Sequence, residues 1–319
     1  MLNRHFLRAK VLQSLYAFQL NDCSDVKGHT KRLIDSFNSL FDLQTYLFSA
    51  LLEIHSMACD KMEDNRLKML PSAEDLAPNM KFINNDFFKL LLEDNVLIQR
   101  SSKLKINWSE SRDLFKAILK RFQASESYRK YMACEKGDMA SERLIVVQLF
   151  KNYLICNEHF FDLLCEQELE WENDYDVMAQ YSLKRLKEYE GVIEDENEER
   201  FDKNFIISLF LNTVEHEAEF KEMIDARIQN WDTDRVALMD ILIIKMGVAE
   251  LIYCPEIPVN VTLNEYVELA KEFSTAKSKL FVNGLLDKLM VDLRSKGMIK
   301  KIEVEEIDNE NEEENSILD

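Results

Sequence analysis

Three basic side chains stand close together near the start of the chain: Arg4, His5 and Arg8. Arg4 and Arg8 are one helical turn apart. At 100° per residue they share a side with Val11, Leu12, Leu15 and Phe18, with Tyr16 at the margin. A guanidinium is planar and offers paired donors, so its chemistry is bidentate contact with a phosphate or stacking on a base. A surface arginine pair without a ligand is the other reading of the same spacing. Cations at a helix start oppose the macrodipole. In line with an apolar stripe, the two arginines are expected to project from the rim of a core rather than straight into bulk water. A second polar set, Asn264, Lys271, Lys277, Lys279 and Asn283, interrupts two apolar stripes further on. A third, Asp240, Lys245 and Glu250, interrupts the run VALMDILIIKMGVAELIY, which is apolar nearly all round. An unpaired buried charge is costly, so each of these must reach the rim, a partner residue or a partner protein.

Catalytic chemistry has no such foothold. Through residue 191 there is no glycine-rich nucleotide loop, no HExxH and no Ser, His and Asp arrangement. Cys23, Cys59, Cys134, Cys156, Cys165 and Cys254 form no CxxC pair, and no histidine lies at zinc-ligand spacing from them. They read as buried or incidental thiols of a reducing compartment. The expectation is a protein with no catalytic residue, metal or cofactor.

The elements that position these residues follow from composition and periodicity. The chain has 319 residues, 46% of them hydrophobic, with only 6 Gly and 4 Pro. That is enough apolar material for a large core and too few turn residues for many loops, which predicts an all-α fold of long helices with short connections. Helices are expected over 3–20, 31–68, 82–97, 114–122, 143–169, 173–191, 201–228 and 234–253, with a Pro-bounded turn at 71–78. Trp108 and Trp171 read as core or interface anchors. Asp232 or Thr233 is placed to cap the apolar helix. After Pro258, Thr262 and Glu265 have capping-box spacing, and Tyr266, Leu269, Ala270 and Phe273 form the stripe that follows. Ser274 and Thr275 offer a cap to a last helix carrying Leu280, Phe281, Leu285, Leu289 and Val291.

The formal net charge of −19 taken alone opposes nucleic-acid binding. Two blocks, EGVIEDENEER (190–200) and IEVEEIDNENEEENSILD (302–319), carry much of the excess and read as solvated linker or tail. Without them the chain is closer to neutral and its beginning is basic. There is no signal-length apolar run at the start and no stretch suited to spanning a bilayer, so a cytoplasmic protein is expected.

The segments RHFLRAKVLQSLYAFQL, VALMDILIIKMGVAEL, IPVNVTLNEYVELAKEFST and KSKLFVNGLLDK, in that order, resemble the NusB family of transcription antitermination factors. The resemblance rests on Arg4, Arg8, Gln13, Leu15 and Tyr16 at one end and on NE, ELAK, FVNG and LDK at the other. It implies an all-α NusB-like helical bundle, with the first helix packed against the C-terminal helices and an additional inserted helical region. Residues 1–20 would be the first helix, 21–200 the insert, 201–300 the core and 301–319 an acidic disordered tail. It further implies a non-catalytic factor that binds boxA-type RNA together with the small-subunit ribosomal protein NusE. In the transcription elongation complex, such a factor promotes passage through terminators of ribosomal RNA operons.

By that resemblance RNA would be met by Arg4, His5 and Arg8, with Lys277 and Lys279 nearby, and the ribosomal protein by Tyr16, Asp240 and Glu250. Where relatives often carry a second arginine this chain has His5, and before FVNG it has Leu280. A helical interaction scaffold without RNA binding is the alternative. An RNA methyltransferase on the same scaffold would need a glycine-rich cofactor loop and a cysteine nucleophile motif, and the chain has neither.

Overall fold

Asparagine, aspartate and serine mark the helix starts in a chain with few glycines and prolines. In the computed structural model, which describes residues 2–21, 24–134, 137–191, 201–228, 237–275 and 277–301, every described element is helical. The Asn3 side chain accepts from Phe6 N at 2.8 Å and opens α1, Arg4–Leu20. Asn85, Asp94, Ser125, Asp138, Asn157 and Asp202 cap later helices in the same way. Scarce Gly and Pro therefore do not mean uniformly long helices. One is long, α2 at Val26–Arg66, but several expected spans divide at capped breaks. A short α3, Ala73–Leu76, lies within the expected turn. Residues 82–97 become α4, Asp86–Leu92, and α5, Asn95–Leu104, because Asp94 accepts from Val96 N and Leu97 N.

The chain forms two units, Met1–Ile34 with Glu199–Asp319 and Asp35–Glu198. The boundary falls within the residues of α2. The second unit also holds α6 (Arg112–Gln123), α7 (Glu126–Ala133), α8 (Met139–Leu149), α9 (Glu158–Gln167) and α10 (Trp171–Lys187). The expected single helix over 143–169 is interrupted: α8 runs into one π-helical turn, Phe150–Leu154, before Asn157 caps α9. Both tryptophans of this unit are core anchors with their polar atoms satisfied. Trp108 donates to Ser49 Oγ at 3.0 Å and Trp171 to Ser39 Oγ at 2.9 Å, and Tyr46 meets each edge-on.

The first unit is built around α13, Leu238–Tyr253. Every residue from Leu242 to Leu251 is buried, because α1, α11 (Lys203–Glu215), α12 (Glu217–Ile228), α14 (Val259–Phe273) and α15 (Ser278–Ser295) all pack on it. A helix apolar all round is stable only when surrounded in this way. Gly247 permits the crossing: a Cβ there would lie 2.9 Å from Leu286 Cδ2 and 3.4 Å from Tyr266 Cδ2. The expected helix over 201–228 is two. Its chain turns at His216, which stacks on Tyr253 at 4.9 Å and lies 2.9 Å from its hydroxyl.

Two expected caps are corrected. α14 begins at Val259, straight after Pro258, so Thr262 lies inside the helix. The Thr262 hydroxyl is buried and accepts from Lys301 Nζ at 2.6 Å, while Glu265 is drawn away to α1. At α15 the N-cap position falls to Lys277, not to Ser274 or Thr275; Thr275 Oγ1 still accepts from Ser278 N at 3.3 Å, whereas Ser274 Oγ donates to Asp240. The capping roles foreseen for Asp232 and Thr233, the tail 302–319 and residues 192–200 of the acidic block lie outside the described residues. Among the described residues no helix is long and apolar enough to cross a membrane.

Candidate nucleic-acid interface at the start of the first helix

Helix α1 enters the first unit with Phe6, Leu7, Val11, Leu12, Leu15 and Phe18 buried. That register turns Arg8 inward with them. Arg8 is 1% exposed and Glu250, on α13, is fully buried. Arg8 Nε and Nη2 each donate to a Glu250 oxygen at 2.8 Å, and Nη1 donates to Glu265 Oε2 at 3.1 Å. Tyr266 donates its hydroxyl to Glu250 Oε2 at 3.0 Å. Burial works against the charge on Arg8, but the hydrogen bond and charge of Glu250, followed by Tyr266 and Glu265, outweigh it and hold the guanidinium pKa above its ordinary value. Burial, then the charge of Glu250, pushes the Tyr266 hydroxyl well above the usual phenol range. Arg8 therefore joins α1, α13 and α14 from inside. Its expected place at the rim is not where the structure puts it.

Arg4 and His5, one turn earlier, reach the surface. The Arg4 side chain is 40% exposed and that of His5 36%. Arg4 Nη2 donates to Asp202 Oδ2 at 3.0 Å, and Nη1 is 3.7 Å from Glu256 Oε1. His5 lies between two carboxylates of α14, Nδ1 3.0 Å from Glu265 Oε2 and Nε2 3.2 Å from Glu272 Oε2. The guanidinium carbons of Arg4 and Arg8 lie 5.2 and 5.4 Å from the centre of the Phe205 ring, a cation–π arrangement that fixes both. At the start of α15, Lys277, Lys279 and Leu280 are all exposed, Leu280 at 74%. The charges of Lys279 and His5 both act on Glu268, after the hydrogen bond it accepts from Lys271. His5 thus lies against α14, and Lys277 and Lys279 stand at the start of the helix that follows it.

The three charges of the apolar helix α13 each have a partner residue. Asp240 accepts from Ser274 Oγ at 2.5 Å, Lys245 donates to Glu217 Oε1 at 2.7 Å, and Glu250 takes Arg8. Asp240 and Lys245 are each 5% exposed. Of the three residues expected to face a partner protein, Tyr16 alone is open to solvent, at 36%.

Periodicity and motif spacing gave no sign of Asp202, Phe205, Glu256, Glu265 or Lys301 at this site. For the interior of the site the one signal was Glu250, isolated in an apolar helix and needing the rim, a partner residue or a partner protein; it was expected to face the ribosomal protein and instead takes Arg8. Lys301 comes back across the bundle to Thr262. Its pKa is lowered to about 8, chiefly by burial, against the attraction of Glu250. Between about 8 and the ordinary 10.5 the unfolded chain binds a proton that the folded one does not, so this group adds stability as pH rises through that window and costs stability below it. Lys301→Met is expected to stabilise relative to wild type at neutral pH and to lose that advantage by pH 10.5. Urea midpoints of both proteins at a series of pH values check this. Cys254, buried beside the same group, has its thiol pushed up to about 12 by burial and by Glu250. Cys134 and Cys156 are exposed rather than buried. Among the described residues no cluster of His, Cys, Asp and Glu could hold a metal ion.

An all-α bundle wrapped on one apolar helix, with a charged edge at the start of its first helix, defines the class. Comparison with known proteins defines the family. A model described as NusB family matches residues 156–291, a span that reaches back into the second unit. The chain is 41% identical over 91 residues to transcription antitermination protein NusB of Bacillus velezensis, covering 28% of this chain and 70% of that one. It is 33% identical over 117 residues to the protein of that name from Finegoldia magna, 37% of this chain and 83% of the other. The same named protein of Chloroherpeton thalassium is 33% identical over 99 residues, 31% of this chain, and there only 47% of its length is spanned. No solved structure matches the chain at a significant level. The chain belongs to the NusB family.

Proposed function

We propose that this chain is a non-catalytic, cytoplasmic transcription antitermination factor that binds boxA-type RNA together with the ribosomal protein NusE in the elongation complex. The observation that carries the RNA reading is solvent access: Arg4 and His5 at the start of α1 and Lys277 and Lys279 at the start of α15 all reach solvent, and His5 lies against α14 at Glu265 and Glu272. In this reading Arg4, Lys277 and Lys279 meet phosphate, His5 contributes when protonated, and Arg8 acts from within by fixing the helix that carries them. Tyr16 is the partner-facing side chain, while Asp240 and Glu250 support the partner surface by holding α14 and α1 in place. The helices of the second unit that precede residue 156, which the family model does not match, are an addition whose role this reading leaves open.

A second reading has its own support. Arg8 is committed to Glu250, and Arg4 and His5 are each flanked by two carboxylates. That favours a scaffold that binds protein and no RNA. A labelled boxA-type oligonucleotide and a scrambled control, titrated with the chain alone and with the ribosomal protein present, separate the two. The RNA reading expects selective binding that strengthens with the ribosomal protein. Protein binding with no RNA retained under either condition supports the scaffold.

A further inference from the structure

Five carboxylates, Asp202, Glu250, Glu256, Glu265 and Glu272, surround the three basic residues at the start of α1. Two of them, Glu250 and Glu265, bind Arg8: Glu250 is fully buried, while Glu265 is 28% exposed and also meets His5. Asp202 and Glu256 are different. They hold Arg4, the arginine with solvent access, and their side chains are themselves 26% and 48% exposed. Resting on the RNA reading above, we propose that Asp202 and Glu256 are built-in competitors for the phosphate that Arg4 binds, so that RNA affinity is set by exchange of these carboxylates for the phosphate.

The geometry of Asp202 makes it an effective competitor. One oxygen, Oδ1, caps α11 by accepting from Phe205 N at 2.9 Å. The other, Oδ2, accepts from Arg4. The carboxylate is therefore held in place by the helix start whether or not Arg4 is present, and it loses little freedom in pairing. Phe205, three residues on, lies against the same guanidinium. Arg4 is thus pre-oriented by an aromatic ring and a fixed carboxylate, with Glu256 longer and looser at 3.7 Å. A phosphate taking the Arg4 donors that face Asp202 and Glu256 displaces an anion rather than water. Pairs as exposed as these are weak enough to exchange, whereas the sealed Arg8–Glu250 pair is not.

The test uses Asp202→Asn, which keeps a good helix cap while removing the charge, and Glu256→Gln. The two are combined, with and without Arg4→Ala, in the full chain with the ribosomal protein present. Competition predicts that the Asp202→Asn/Glu256→Gln protein binds boxA-type RNA about three- to fivefold more tightly at low salt. It also predicts that the gain vanishes in the Arg4→Ala background, since it acts through that one side chain. A general relief of negative charge would persist without Arg4, and that result overturns the proposal. Unchanged affinity in the charge-removed protein, with wild type binding and Arg4→Ala weakened, overturns the competition while leaving the RNA reading intact. No RNA binding by any variant overturns both.

Discussion

Replacing Glu250 with Ala is expected to destabilise the first unit by about 3–5 kcal/mol, the usual result of stripping one partner from a buried ion pair. The change leaves Arg8, 1% exposed, with two of its three carboxylate hydrogen bonds gone and no route to water. It also leaves the Tyr266 hydroxyl, which donates to Glu250, buried without that acceptor. The penalty is the stranding of polar groups rather than the net worth of the pair. Replacing both partners with apolar residues of similar size, Arg8→Met with Glu250→Leu, should therefore cost much less than the sum of the single changes. Urea midpoints, with the slope m checked for constancy, measure each. A loss below about 1 kcal/mol for Glu250→Ala would place the pair among exposed ones, in conflict with its burial.

The second large effect falls on binding. Arg4→Ala combined with Lys279→Ala is expected to weaken boxA-type RNA binding about tenfold or more at low salt. Its salt dependence should flatten by roughly 0.7 for each single-strand phosphate that is no longer neutralised. The same variant should unfold close to wild type. Arg4 pairs with two carboxylates whose side chains are 26% and 48% exposed, and such pairs contribute about 0–1 kcal/mol. Arg4 and Arg8 are of one residue type and one helical turn apart, yet opposite phenotypes follow from their surroundings. Arg8 variants lose stability, and Arg4 variants lose RNA.

That division could not be read from the sequence, and the reason is geometric. A helical wheel puts Arg4 and Arg8 on one side with the apolar stripe, but the depth of each depends on how far α13 and α14 rise around α1. Arg4 keeps 40% of its side chain exposed, while Arg8 sits where three helices meet. The all-α fold, the apolar α13 and the need of Glu250 for some partner were legible, because periodicity and the cost of an unpaired charge are local statements; its assignment to a partner protein was not right. Which cation answers Glu250 is a contact across 242 residues and leaves no local trace. The Thr262–Glu265 spacing misled for a related reason. Pro258 already starts the helix, and Glu265 is taken by His5 and Arg8. The outcome of that competition is settled only when α1 is in place. Similarly, Asn and Asp caps divided helices that a count of Gly and Pro treats as continuous.

RNA binding at the start of the first helix is tested most directly by the salt dependence of boxA-type RNA affinity. Wild type is compared with Arg4→Ala/Lys279→Ala, with the ribosomal protein present. Wild-type affinity is expected to fall steeply with salt, and the variant to bind more weakly with a shallower slope, while both unfold at closely similar urea concentrations. Equal affinities and equal slopes for the two proteins would contradict this assignment and place any RNA recognition elsewhere on the molecule.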